Sequence, residues 1–97
     1  MPKSTSYHEK LIQDLKNPLE AAAYIEVVLE ESDPKMLSKA LKNVIEAHGG
    51  VDRLSAQVKE LYNKLDQMLL DKGEIEFYSL NSLLDALGLH LAVTVKP

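Results

Sequence analysis

The 97-residue chain has no cysteine and no tryptophan, and its aromatic residues are one phenylalanine and four tyrosines. Without cysteine there is no disulfide framework and no thiolate metal site, which fits a reducing compartment. Glycine is limited to Gly49, Gly50, Gly73 and Gly88, and none of them forms a glycine-rich phosphate loop. The three histidines, His8, His48 and His90, are far apart and lack a His-x-x-x-His spacing. No apolar run approaches the roughly 18–20 residues of a membrane span. The opening Met1 to Ser6 has no apolar stretch of the kind a signal peptide needs. No membrane association and a cytoplasmic location are the expectations. Cations are scarce too: 11 Lys and Arg against 15 Asp and Glu give a net charge of −4, spread evenly over the two halves. That counts against a nucleic-acid binder, which usually carries a basic footprint. A local basic edge can still coexist with an acidic whole.

What is present suits one small helical domain covering residues 1–97. A chain this short buries only about 60–65% of its unfolded surface, so pairing with a second copy or a partner is a common remedy. The apolar residues are mainly Leu, Ile, Val and Ala, as packed helices require. Residues 1–6 are polar and read as a flexible start. Leu11, Ile12 and Leu15 suggest one or two helical turns from Tyr7 to Leu15.

Asn17 and Pro18 are a good N-cap and first helical residue. Glu20 is placed to complete a capping box. Ala22, Ile25, Val28 and Leu29 then recur at helical spacing up to about Glu31. Asp33-Pro34 repeats the start signal, and Met36, Leu37, Ala40, Leu41, Val44 and Ile45 form a wide apolar stripe. Gly49-Gly50 stops this helix. A third helix is read over Val51 to Val58, a break at Lys59-Glu60, and a fourth helix over Leu61 to Leu70. Phe77 to Leu87 is the fifth, with Gly88 beyond it.

The tail changes period. Leu89, Leu91, Val93 and Val95 alternate with His90, Ala92 and Thr94, which is the pattern of a half-buried strand over residues 89–95. A lone strand is a template for another chain. A short extended tail packed on the helices is the equal alternative.

Three blocks, in this order, are similar to the addiction-module antidote (antitoxin) family with its lambda-repressor-like helix-turn-helix. They are Leu19-Glu20-Ala21-Ala22-Ala23-Tyr24-Ile25 followed by Leu29 to Pro34, then Ala40 to Gly49, and finally Leu83 to Leu91. The likeness runs from about Tyr7 to Val95. It implies an all-α fold, a five-helix lambda-repressor-like domain with a short C-terminal β-strand and a helix-turn-helix at residues 51–70. It also implies a homodimer that represses its own operon and neutralises a cognate toxin. No metal and no organic cofactor are implied. The chain departs from the family where Lys59 replaces the turn glycine, where Glu60 and Leu61 replace an apolar residue and a polar cap, where Asp66 replaces a tyrosine, and where Ile75 replaces a proline. These departures mark either a diverged DNA site or a fold that has lost it.

In such a fold the second helix of the motif enters the major groove. That placement turns Tyr62, Asn63, Lys64 and Gln67 outward, opposite Leu61, Leu65, Met68 and Leu69. Asn and Gln pair bidentately with adenine, and Lys donates to guanine or phosphate. Arg53 and Lys59 would hold the backbone of double-stranded operator DNA. Each of these is otherwise an ordinary solvated residue, and the carboxylates of Glu60 and Asp66 oppose phosphate. Glu26, Glu30 and Glu31, with Leu91 and Val93 of the tail, are the candidate contacts to the toxin, whose basic surface an acidic helix would steer. The same glutamates read more readily as a solvated face, and catalysis is not expected. A helical interaction module without DNA binding and a stand-alone repressor without a toxin are the alternatives.

Overall fold

The computed structural model describes the backbone of residues 3–97 and the side chains of residues 7–97. It contains α1 (Lys3–Leu15), α2 (Pro18–Glu31), α3 (Pro34–Ala47), a 3-10 turn (Val51–Arg53), α4 (Ala56–Lys72) and α5 (Phe77–Ala86). The fold is all-α, as the composition implies. No helix among the described residues is long and apolar enough to cross a membrane.

The punctuation of the sequence sets the boundaries of α2 and α3. The Asn17 side chain accepts from the Leu19 amide at 3.0 Å, and that of Asp33 accepts from the Lys35 amide at 3.0 Å. A proline follows each cap, where a missing N–H costs nothing. The capping box does not close. The Asn17 amide, which Glu20 would have to reach, already donates to the Asp14 carbonyl at 3.1 Å. After α3 the chain reverses through Gly49 at φ 108°, where a Cβ would lie 2.8 Å from Cγ of Arg53. Only glycine meets both demands cheaply.

Helix α3 lies at the centre of the molecule. Leu37, Ala40, Leu41, Val44, Ile45 and Ala47 are buried, and α1, α2 and α4 pack around them. The buried polar residue in this stripe, Asn43, donates from Nδ2 to Oη of Tyr24 at 3.0 Å, so its amide is not stranded. Leu80, Leu83, Leu84 and Leu87 of α5 and its C-terminal cap complete the core against α4.

Four expectations are corrected. First, α1 starts at Lys3, so the polar opening is helical from there; Met1 and Pro2 lie outside the described residues. Second, Ala21 rather than Ala22 faces inward on α2. Third, there is no break at Lys59-Glu60. Ser55 caps the helix by accepting from the Val58 amide at 3.2 Å, and the Lys59 amide donates to the Ser55 carbonyl at 2.8 Å. The predicted third helix shrinks to the 3-10 turn, and the rest of it joins the fourth in a single helix of 17 residues. Without a glycine at position 59, two good helix formers carry the backbone straight on. Fourth, residues 89–97 carry no strand among the described residues. Leu89 and Leu91 pack on the core, and the Leu91 amide donates to Oδ1 of Asn81 at 3.5 Å. Val93 and Val95 are fully exposed. A single tail has no neighbouring strand to complete its ladder.

Candidate interaction surfaces

The residues expected to read DNA divide on α4. Val58, Tyr62, Leu65 and Leu69 recur at helical spacing and pack inward. Tyr62 is therefore not a base-facing residue: it is 7% exposed. In the continuous helix, position 62 falls on the same stripe as Val58, Leu65 and Leu69 and so faces the core rather than solvent.

Burial, and secondarily the Asp66 carboxylate, raise the Tyr62 hydroxyl above its ordinary value of 10.0. A raised acid holds its proton longer in the folded state than in the unfolded one. Its contribution is complete below the unfolded value and declines as pH rises above it. The wild-type chain is thus expected to lose stability with rising alkaline pH more steeply than Tyr62→Phe, as urea titrations at a series of pH values would read. Identical slopes would contradict the buried placement.

Asn63, Lys64 and Gln67 are exposed on one strip of α4, together with Glu60 and Asp71. The strip is not basic. Lys64 sits 3.6 Å from Glu60, and Lys72 shares a groove with Lys64, Gln67 and the carboxylate of Asp71. Asp66 turns away from the strip and accepts from the Ser38 hydroxyl, tying α4 to α3. Arg53 is exposed on the 3-10 turn, and Lys59 Nζ approaches Asp52 at 3.9 Å. The structure therefore places the expected DNA contacts in three settings: a buried tyrosine, a mixed-charge strip and a separate turn.

No family model matches this chain, and neither a curated protein nor a solved structure does. Its surfaces must be read from their own chemistry.

A basic stripe that sequence reasoning did not single out lies on α3. Lys35, Lys39 and Lys42 are exposed along one line and border a groove of about 430 Å³ with His8 and Glu46. His8 Nε2 lies 3.2 Å from Glu46. The i, i+4, i+7 spacing of the lysines was the available signal.

The strongest charge asymmetry is on α2. Glu20, Glu26, Glu30 and Glu31 are all exposed, and the helix carries no Lys, Arg or His. Those four account for the whole net charge of −4, since the remaining 11 acids balance the 11 Lys and Arg. Glu30 and Glu31 also occupy the C-terminal turn, where the helix dipole disfavours anions, and Glu26 and Glu30 are like charges one turn apart. Neither placement helps the isolated helix. The expected partner residues Glu26, Glu30 and Glu31 thus share one acidic helix. Leu91 is half-buried beside it, where Ala22, Ile25, Glu26 and Leu29 form a groove of about 160 Å³ with residues 89–92 and Thr94. Val93 points away into solvent. Among the described residues no cluster of His, Asp and Glu could hold a metal ion.

Proposed function

We propose that the chain is the protein-neutralising member of an antidote-type pair, a helical module that binds a partner toxin and does not read an operator through a helix-turn-helix. One observation carries the reading: α4 runs unbroken from Ala56 to Lys72. A helix-turn-helix reads bases with the first residues of its second helix. Here those positions lie in the middle of a helix, one of them is the buried Tyr62, and the exposed remainder is mixed in charge. The acidic α2 supports a protein partner with a basic surface, because opposite charge across an interface steers association.

The second reading keeps the repressor: a lambda-repressor-like homodimer on paired half-sites. It is favoured by the common exposure of Asn63, Lys64 and Gln67 and by the α3 lysines.

The two are separated by titrating the chain against the DNA upstream of its own gene and against a scrambled duplex, at two salt concentrations. Equal, feeble binding to both duplexes is expected. Tight preference for the upstream DNA, weakened by salt as counterion release requires and lost in the double variant Asn63→Ala, Gln67→Ala, would overturn the proposal in favour of the repressor.

A further inference from the structure

The outer side of α2 is apolar where a solvated helix would be polar. Leu19 is 79% exposed and Val27 57% exposed, and Ala23 lies between them in steps of four. One face is already committed to the core through Ala21, Ile25 and Val28. Leu19, Ala23 and Val27 therefore make a second apolar stripe that no described residue covers. The carboxylates Glu20, Glu26, Glu30 and Glu31 flank it.

On one side the stripe falls into a groove of about 330 Å³ between α1 and α2. Leu11, Leu15 and Tyr24 floor it, Ala23 and Val27 form its α2 wall, and Asp14 and Glu20 stand on its rim. No cation lines it. Lys10 pairs with Asp14 at 3.7 Å, but both side chains are exposed, and such a pair exchanges readily for another. The small side chain of Ala23 lets another backbone approach closely.

From this groove we infer that α1 and α2 receive an amphipathic helix of the partner protein, with an apolar face toward Leu11, Ala23 and Val27 and Lys or Arg residues toward Asp14, Glu20 and the other α2 glutamates. The assignment rests on the protein-binding reading above and names the surface and the chemistry of its partner. Charge selects the occupant. A second copy in a symmetric contact would set four glutamates against four glutamates, which is repulsive. An acidic or neutral helix would leave the rim carboxylates without the partners that repay their desolvation. The anions at the C-terminal end of α2 fit the same occupant, because a basic flank offsets the charge that the isolated helix carries unfavourably.

The test uses the full chain, isotope-labelled for amide NMR, and a synthetic probe of about 14 residues, the length of α2. The probe is an amphipathic helix of leucine, alanine and lysine; the control has the same composition in an order without an apolar face. Amide shifts concentrated in residues 11–15 and 19–27 are expected with the probe only. Ala23→Arg, which fills the groove and adds a like charge, should weaken binding about tenfold or more. Asp14→Asn with Glu20→Gln should weaken it about fivefold at low salt and less at high salt. Asp71→Asn with Glu74→Gln, the same charge change away from the groove, should stay within about twofold. An undisturbed amide spectrum certifies the fold of each variant. No binding, equal binding of the reordered peptide, shifts centred on α3, α4 or the tail, or unchanged affinity in Ala23→Arg would each overturn the inference. Tight operator-selective DNA binding in the earlier titration would end the protein-binding reading without altering these shifts, so the two failures are told apart.

Discussion

Glu60→Pro is expected to destabilise the fold by about 3 kcal/mol or more. Position 60 is the fifth residue of α4. A proline there removes the amide that donates to the carbonyl four residues earlier, and its ring collides with that same carbonyl. Lys59→Gly should cost about 1 kcal/mol, because glycine in a helix interior gains nothing and loses chain entropy. If a turn lay at 59–60, the order would reverse: glycine at 59 would be neutral or stabilising and the proline tolerated. Urea denaturation followed by circular dichroism distinguishes the two patterns. For a domain of this size, with a total stability of roughly 5–15 kcal/mol, a loss near 3 kcal/mol is a large shift of the midpoint.

Tyr62→Ala should cost about 3 kcal/mol, the usual price of emptying a large aromatic site in a core. The side chain is 7% exposed and packs in the main hydrophobic cluster. Tyr62→Phe keeps the ring that fills the site and removes only the hydroxyl, so this change should cost less than about 1 kcal/mol. Thermal melts of the two variants provide the comparison. A tyrosine exposed on a recognition surface would give small losses for both, and Tyr62→Ala within about 0.5 kcal/mol of wild type would contradict its place in the core.

The parts of the fold that were legible in the sequence are those governed by local chemistry. The helix starts at Pro18 and Pro34 follow from the Asn17 and Asp33 caps, and the end of α3 follows from Gly49-Gly50. The wide stripe from Met36 to Ile45 could only be a helix with a deeply buried face, and all of it except the exposed Met36 lies at the centre of the molecule. The Phe77 to Leu87 segment reads nearly to its observed ends.

What failed depended on competition between alternatives. The break at Lys59-Glu60 is read along the chain and agrees with the turn of the resemblance, but the neighbouring residues argue against it. Ser55 is a natural cap, and Val58, Tyr62, Leu65 and Leu69 continue one stripe through the supposed turn. Given those residues, the resemblance was the weaker guide. The tail failed for a different reason. Alternation over residues 89–95 is a real pattern, but a strand exists only with a neighbour. Within one copy the pattern ends at Leu91, the last of its apolar residues packed on the core. On the surface, the acidic character of α2 was visible in the sequence through Glu26, Glu30 and Glu31. The groove with α1 was not, because it depends on how Leu11 and Asp14 are set against Ala23 and Val27 across the α1–α2 turn.

The continuity of α4 underlies both the proposal that the chain does not read DNA through a recognition helix and the proposal that another face binds a partner. Its most direct test is the backbone NMR assignment of residues 55–63, read as carbon secondary shifts together with amide exchange. Uninterrupted helical shifts through Lys59, Glu60 and Leu61 are expected, with the Lys59 amide protected by its bond to the Ser55 carbonyl. Non-helical shifts and fast exchange at those three residues, with helical values on either side, would restore the turn and contradict the assignment.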